Sequence, residues 1–466
     1  MSEKQNHASR SKMPNGVLIL FTIILLAGLL SYIIPAGEFS KTLVNGKEVI
    51  DPNSFHFIAS NHVSFIDLFL AIPLGLQNAI MLITMILMIG GAVNVFEQTG
   101  AIGGAIAASI RALGSKNKEW VLIVLTTFFA CLGAFPAMLE AMIPFAPICI
   151  AVALTMGYDL LVGMSIPVVG AVIGWTSGVT NPYTTGIGHN MAGLPLFSGF
   201  LYRLLFFLIL LFMANAFIVR YARKIEKNPS ASLVADIPVD EKLKMIDVDS
   251  MPFDAKHKLI MFVFAATIAT IVAGTVLLKW DMNKMSAFYI IGALIGGLIA
   301  GFGPNKIVET IIAGSTAIFP AAFAVGVARG ISVLMTNSKI IDTIVRYLSL
   351  PLSQLGPVIS AALMVLVQTL INFFIPSGSG QAMATLPIML PLGHIIGVGD
   401  QVTILAFQIG DGLSNLIYPT VPLVVAYLAF TKIPFTRWFK YIYPFALQTM
   451  ALGIAFTVVG VLINWQ

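Results

Sequence analysis

Residues 373–394 read FFIPSGSGQAMATLPIMLPLGH. Both flanks are apolar enough for a lipid bilayer, but Pro376-Ser377-Gly378-Ser379-Gly380 is poor material for a continuous helix. A helix break in hydrocarbon strands backbone N–H and C=O groups, so it persists only against a cavity, a ligand or packed protein. The stretch reads as the tip of a re-entrant hairpin. Its glycines let a ligand approach the backbone, and its serines cap the second arm or touch that ligand. The plainer reading is a tight turn between packed helices.

The rest of the chain supplies the membrane. Of 466 residues, 58% are hydrophobic and 10% charged, with a mean hydropathy of +0.93. Soluble domains carry about 25% charged residues, so the class is an all-α polytopic membrane protein. The pI near 9.1 reflects loop lysines and arginines rather than a nucleic-acid surface. Cys131 and Cys149, the two cysteines, lie in apolar sequence and read as packing residues. The first apolar run follows a tail with Lys4, Arg10 and Lys12 and could pass for a signal peptide. Its length suits a bilayer and many spans follow, so it reads as a retained first helix.

Nine crossings are expected, at 16–34, 75–97, 160–190, 199–222, 258–279, 286–303, 307–335, 401–431 and 440–464. Those at 160–190 and 401–431 are long and interrupted, the first at Ser177-Gly178 and Asn181-Pro182, the second at Tyr418-Pro419 and Pro422. The stretches 119–156 and 355–396 break near their middles into arms of about 16 residues, roughly 24 Å of helix, and read as two re-entrant hairpins. This topology puts most of the 26 Lys and Arg inside, among them Arg111, Lys116, Lys118, Arg220, Arg223, Lys224, Lys432, Arg437 and Lys440. A hairpin that crossed fully would move later loops to the other side and weaken that bias. The expected plan is a cytoplasmic tail (1–15), an N-terminal half (16–222), a polar cytoplasmic linker (223–256) and a C-terminal half (257–466), with 40–62 as an external loop.

A gapless shift of 240 residues places Pro136 on Pro376, Pro147 on Pro387, Gly157 on Gly397, Gly170 on Gly410 and Pro182 on Pro422. Identity is otherwise poor, but the order of elements repeats: long helix, amphipathic segment (101–114, 338–350), hairpin, broken helix, final helix. The hairpins enter from opposite sides, which makes this an inverted repeat of the kind found in secondary transporters.

The polar residues in these breaks define the candidate site. Asp411 lies deep in apolar sequence, where a carboxylate costs about 2.5–3.5 kcal/mol. It shares a helix face with Asn415. Glu140 stands at the first hairpin tip. Thr180, Asn181 and Thr184 crowd the first interruption, Thr420 the second, and Ser377, Gly378, Ser379 and Gly380 the second tip. Carboxylate, amide and carbonyl oxygens suit an ammonium group or Na⁺, with Ser377, Asp411, Asn415 and Asn181 as the sodium candidates; a structural Asp411 is the alternative. Arg329 either binds a carboxylate or snorkels to the interface. His189 and His394 read as interfacial residues. No G-x-S-x-G or H-E-x-x-H motif supports an intramembrane enzyme. A channel remains the other alternative, and paired broken elements favour a carrier.

Three stretches, TNPYTTGIGHNMAGLPLFSG (180–199), NFFIPSGSGQAMATLPIMLPL (372–392) and FQIGDGLSNLIYPT (407–420), closely resemble the YfcC-like family of the ion-transporter superfamily. That family is grouped with anaerobic C4-dicarboxylate carriers and is distantly similar to aminobenzoyl-glutamate transporters. The resemblance runs from Ile34-Pro35-Ala36-Gly37 onward. It implies a homodimeric inner-membrane carrier with a scaffold domain, a mobile transport domain holding both hairpins, and elevator-type movement. Some relatives are described as arginine/ornithine antiporters, others as dicarboxylate carriers. Relatives often carry two adjacent acids at the first tip, whereas here Ala141 follows Glu140. Glu140 and Asp411 suit a cationic substrate group, and helix N-termini suit its carboxylate. The expected substrate is therefore a basic amino acid, with a C4-dicarboxylate as the alternative. Either is coupled by exchange or by Na⁺ or H⁺, without a resident cofactor.

Overall fold

The computed structural model describes residues 16–44, 47–50, 54–113, 118–239, 251–278 and 280–465. The tail 1–15, Lys116 and residues 240–250 of the linker lie outside the described residues. A mostly apolar run of 18 residues forms α1 (Gly16–Ile33), at the short end of what a bilayer crossing needs. The loop between α1 and the next helix holds two short antiparallel ribbons, Gly37–Glu38 with His56–Phe57 and Lys41–Val44 with Lys47–Ile50. They are the sole departures from an all-helical fold among the described residues.

The expected crossing at 75–97 is present, and the apolar segment it belongs to starts earlier and is broken. It consists of α2 (Phe65–Asn78) and α3 (Ile80–Gln98), which meet at Ala79. Ser64 starts α2 with a capping box: its hydroxyl accepts from Asp67 N, and the Asp67 carboxylate accepts from Ser64 N. That signal was readable in Ser64-x-x-Asp67. Replacing Ser64 with alanine is expected to cost about 1 kcal/mol, seen as a lowered melting temperature in detergent. An unchanged melting temperature would show that packing alone sets this end.

The amphipathic α4 (Ala101–Leu113) precedes the first hairpin, α5 (Lys118–Ala134) and α6 (Ala146–Thr155), joined by a turn and a 3₁₀ segment at Glu140–Phe145. The first broken helix is α7 (Leu160–Ser177) and α8 (Thr185–Ala192). Then α9 (Phe200–Lys227) runs beyond the expected boundary at 222, so the linker begins later. Its start is docked, not loose. Asp159, the N-cap of α7, accepts from Tyr221 and Ser232 hydroxyls at 2.8 and 2.6 Å, and Arg437 pairs with Asp236.

The second half follows: α10 (Ala255–Leu278), α11 (Met282–Ala300), α12 (Pro304–Asn337), the amphipathic α13 (Ile341–Ser349), and a second hairpin, α14 (Pro357–Phe374) and α15 (Gly378–Ile396). The second broken helix is α16 (Asp400–Ser414) and α17 (Pro422–Thr431), and α18 (Phe435–Leu462) closes the fold. Arms α14 and α15, at 18 and 19 residues, exceed the expected length. The break between them is shorter than PSGSG. Ser377 is the N-cap and its hydroxyl accepts from Gly380 N at 3.4 Å, so Gly378-Ser379-Gly380 is already the first helical turn.

Helices pack in two groups. One holds α1–α4 and α10–α12; the other holds α5–α9, α14–α16 and α18; α13 and α17 lie between them, α17 packing mainly on α12. Each hairpin clasps its broken helix, α5 and α6 on α7, α14 and α15 on α16, and α7 packs on α16. The matched glycines do the same work in each half. A Cβ on Gly170 would lie 2.7 Å from Thr126 O, and one on Gly410 2.8 Å from Val365 O. Each therefore lets a broken helix ride close on a hairpin arm. Without a hydrophobic drive inside lipid, such small-residue contacts hold helices together. The seam between groups runs where α17 and the Glu140–Phe145 turn meet α12 and α3.

Candidate functional site

All four breaks reach one cavity of about 420 Å³ on this seam. Pro136–Ala141 come from the first tip, Pro376–Ser379 from the second, Tyr183 from the first interruption, and Asn415, Val421 and Pro422 from the second. Helices α2, α3, α11 and α12 add Asn78, Met85, Met285 and Arg329, and Asp281 stands exposed at the mouth. The lining joins two carboxylates, one guanidinium, hydroxyls and amides with methionine side chains that adapt to a hydrocarbon chain.

Local chemistry places the tips. Pro136 and Ala137, whose φ is +56°, end α5 and turn the chain so that Glu140 opens the 3₁₀ segment. Gly178, at φ +57°, ends α7, and an added Cβ would lie 2.4 Å from Thr185 Oγ1. Much of the freed backbone is taken by side chains. Thr180 Oγ1 donates to Phe135 O at 2.9 Å, Tyr427 OH to Met142 O at 2.7 Å, Trp438 Nε1 to Leu416 O at 2.8 Å, and Gln408 Nε2 to Trp175 O. The breaks thus depend on protein as well as on a ligand.

Behind the cavity lies a buried polar layer. Trp175 lines the cavity and its Nε1 donates to Asp411 Oδ2 at 2.7 Å. A Cβ on Gly378 would lie 3.2 Å from the same oxygen and 2.8 Å from Thr184 Cγ2. The second tip therefore sits directly on Asp411. Asn372 Nδ2 donates to Asp411 O and Ser414 Oγ at 3.1 and 2.6 Å. Asn372 Oδ1, Thr184 Oγ1, Asn181 Nδ2 and Thr420 Oγ1 are buried without a hydrogen-bond partner among the described residues.

The structure thus sorts the expected residues. Glu140, Ser377, Gly378, Ser379 and Asn415 line the cavity. Asp411, Asn181, Thr184 and Thr420 lie in the layer behind it, each at most 5% exposed with Asn415. Gly380 belongs to the capped turn, and Thr180 ties the first interruption to the first tip. Arg329 faces the cavity. His189 is no interfacial residue: it is fully buried, with Nε2 3.2 Å from Gln401 Oε1 and Nδ1 accepting from Phe197 N. His394 is exposed and pairs with Asp400. The sequence reading missed Asn372 and Asp281 and left Arg329 open. The amide would have been found by asking which polar residues precede a tip, whereas Asp281 resembles any helix N-cap.

A family profile described as the C4-dicarboxylate anaerobic carrier, DcuC, matches residues 13–462. The chain belongs to this family. It is 30% identical over 472 residues to the Escherichia coli K12 protein named "Putative basic amino acid antiporter YfcC", covering 92% of this chain and 93% of that one. It is 24% identical over 495 residues to a Haemophilus influenzae Rd protein named "Uncharacterized protein", covering 96% and 97%. Two solved structures align at a TM-score of 0.46 and 14% identity. The YdaH transporter of Alcanivorax borkumensis covers 97% of this chain and 99% of its own, and MtrF of Neisseria gonorrhoeae, an antimetabolite efflux pump, covers 96% and 95%. The protein is a multi-pass membrane transporter of a small-molecule substrate. Among the described residues, eight helices are long and apolar enough to cross a bilayer.

Proposed function

We propose that the protein is a secondary carrier that exchanges basic amino acids across the inner membrane. The observation that carries this reading is the cavity, whose wall combines Glu140, Asp281 and Arg329 with adaptable methionines. A basic amino acid presents a cationic end to carboxylates and a carboxylate to the guanidinium, and the helix N-termini at Ser377 and Pro422 add positive potential. The relative named as a basic amino acid antiporter supports the same choice. The alternative, a C4-dicarboxylate, answers to the family's description and to Arg329, but it meets two carboxylates without a matching cation.

In this reading α5–α9, α14–α16 and α18 are the mobile transport domain and α1–α4 and α10–α12 the scaffold, with elevator movement along the seam. The halves form an inverted repeat of re-entrant hairpins, the amino terminus is cytoplasmic, and the carrier is a homodimer. If transport is ion-coupled, Na⁺ or H⁺ is taken between the cavity-lining Ser377 and Asn415 and the buried Asp411 and Asn181 behind them. Unpartnered oxygens of Asn372 and Thr184 near Asp411 fit such a hard cation. We assign the protein no enzymatic step.

Purified protein in liposomes loaded with arginine is expected to take up labelled arginine or ornithine, faster with the counter-substrate inside than without it. Uptake of labelled succinate with no arginine flux under any gradient would replace this reading by the dicarboxylate one.

A further inference from the structure

Glu140 and Arg329 reach the same cavity from opposite sides of the seam. Glu140 rides on the first hairpin, in the group built around α7 and α16, whereas Arg329 belongs to α12 in the other group. Both are partly buried, and among the described residues neither has an ion-pair partner. An arginine within a membrane span is costly unless something answers its charge. The two opposite charges line one cavity of about 420 Å³ walled largely by apolar side chains, where their attraction exceeds its value in bulk water.

We propose that Glu140 and Arg329 form a charge latch across the seam, which an ampholytic substrate opens from both ends. In the loaded carrier the substrate cation satisfies Glu140 and its carboxylate satisfies Arg329, so neither residue pulls on the other. In the substrate-free carrier they attract each other and hold the hairpin against α12, which stops the transport body from sliding. The carrier then moves only when loaded, and transport is obligatory exchange. This extends the basic amino-acid reading and rests on it for the identity of the substrate.

The latch also sets a substrate class. A ligand with one sign of charge answers one partner and leaves the other uncompensated, so a dicarboxylate would hold Arg329 and repel Glu140. Exposed Asp281 at the mouth steers cations toward the same space. A bound ligand shifts the equilibrium only by its differential affinity for the two arrangements, and here that difference is the substitution of substrate charges for the latch.

The test compares two rates within each variant in proteoliposomes preloaded with labelled arginine. One is net efflux into amino-acid-free buffer, the other exchange against external arginine. Their ratio is insensitive to how much protein is active. The wild type is expected to exchange at least about tenfold faster than it leaks. Arg329→Gln and Glu140→Gln are expected to raise net efflux severalfold above that of the wild type and so bring the ratio close to one, and Arg329→Lys to preserve it. An unchanged ratio in both neutral variants, a ratio that falls only because exchange falls, or a transporting wild type that leaks as fast as it exchanges, overturns the latch.

A second readout needs no transport. In a Cys131→Ala, Cys149→Ala background, Ser379→Cys at the second tip is labelled with a membrane-impermeant maleimide in the absence of amino acid. Adding Arg329→Gln is expected to change its labelling rate at least severalfold, because the transport body is released; an unchanged rate overturns the latch. Should the wild type carry no arginine at all, the substrate reading fails by the first assay, while the labelling still decides the latch.

Discussion

Asp411→Asn abolishes coupled transport, by at least about 100-fold in rate (about 2.7 kcal/mol), and leaves the protein folded. The carboxylate is 1% exposed and lies where three elements meet: α16 carries it, Trp175 of α7 donates to it at 2.7 Å, and Gly378 of the second tip packs against it. Asparagine keeps the shape and one acceptor for the indole N–H, so packing survives. The negative charge is lost, and with it the potential that a cationic substrate group or coupling ion meets behind Trp175 and the tip. Uptake of labelled arginine under counter-exchange reads the activity, and thermal unfolding in detergent reads the fold. Wild-type exchange in a stable variant would remove Asp411 from the site. Loss of stability together with activity would assign it to the structure instead.

Much of this arrangement was legible because a bilayer makes backbone breaks conspicuous. Pro136, Gly178, Pro182, Pro376, Pro419 and Pro422 each stand in apolar surroundings, and all four breaks they mark line or adjoin one cavity. The shift of 240 residues was informative for a physical reason. Gly170 and Gly410 recur because each lets a broken helix approach the backbone of a hairpin arm. What could not be read was rotation. The helix of Arg329 is apolar all round, so nothing local says whether residue 329 faces lipid, water or the cavity. The extent of the second tip was misjudged for a different reason. Gly378 and Gly380 look like breakers, but a serine cap at 377 recruits them into the first turn, where glycine costs little. The α2 segment lay mostly outside the expected crossing because Pro73 and Gly75 interrupt its 14 residues.

Gly174→Val removes the folded protein rather than tuning it. A Cβ on Gly174 would sit 2.0 Å from Ala130 O and 2.7 Å from Ala134 N, and one on Gly133 would sit 2.2 Å from Ala171 O. The obstacles are backbone atoms of α5 and α7, which cannot swing aside as a flexible side chain does. Valine must therefore push α5 off α7, which destroys the small-residue contact between them and exceeds the usual overpacking cost of about 1–3 kcal/mol. The displacement also travels along α5 to the first tip, because Ala134 O accepts from Thr180 N and Phe135 O from Thr180 Oγ1. Glu140 would leave the cavity wall even in any protein that still folds. The expected result is a collapse of monodisperse protein after detergent extraction and no arginine exchange. Gly303→Ala and Gly356→Ala serve as controls. Both precede a proline at a helix start, have negative φ and meet nothing within 4 Å, so each should stay within about 0.5 kcal/mol of the wild type. A Gly174→Val protein as stable as those controls would mean that the α5–α7 crossing is looser than the close approach of its glycines implies.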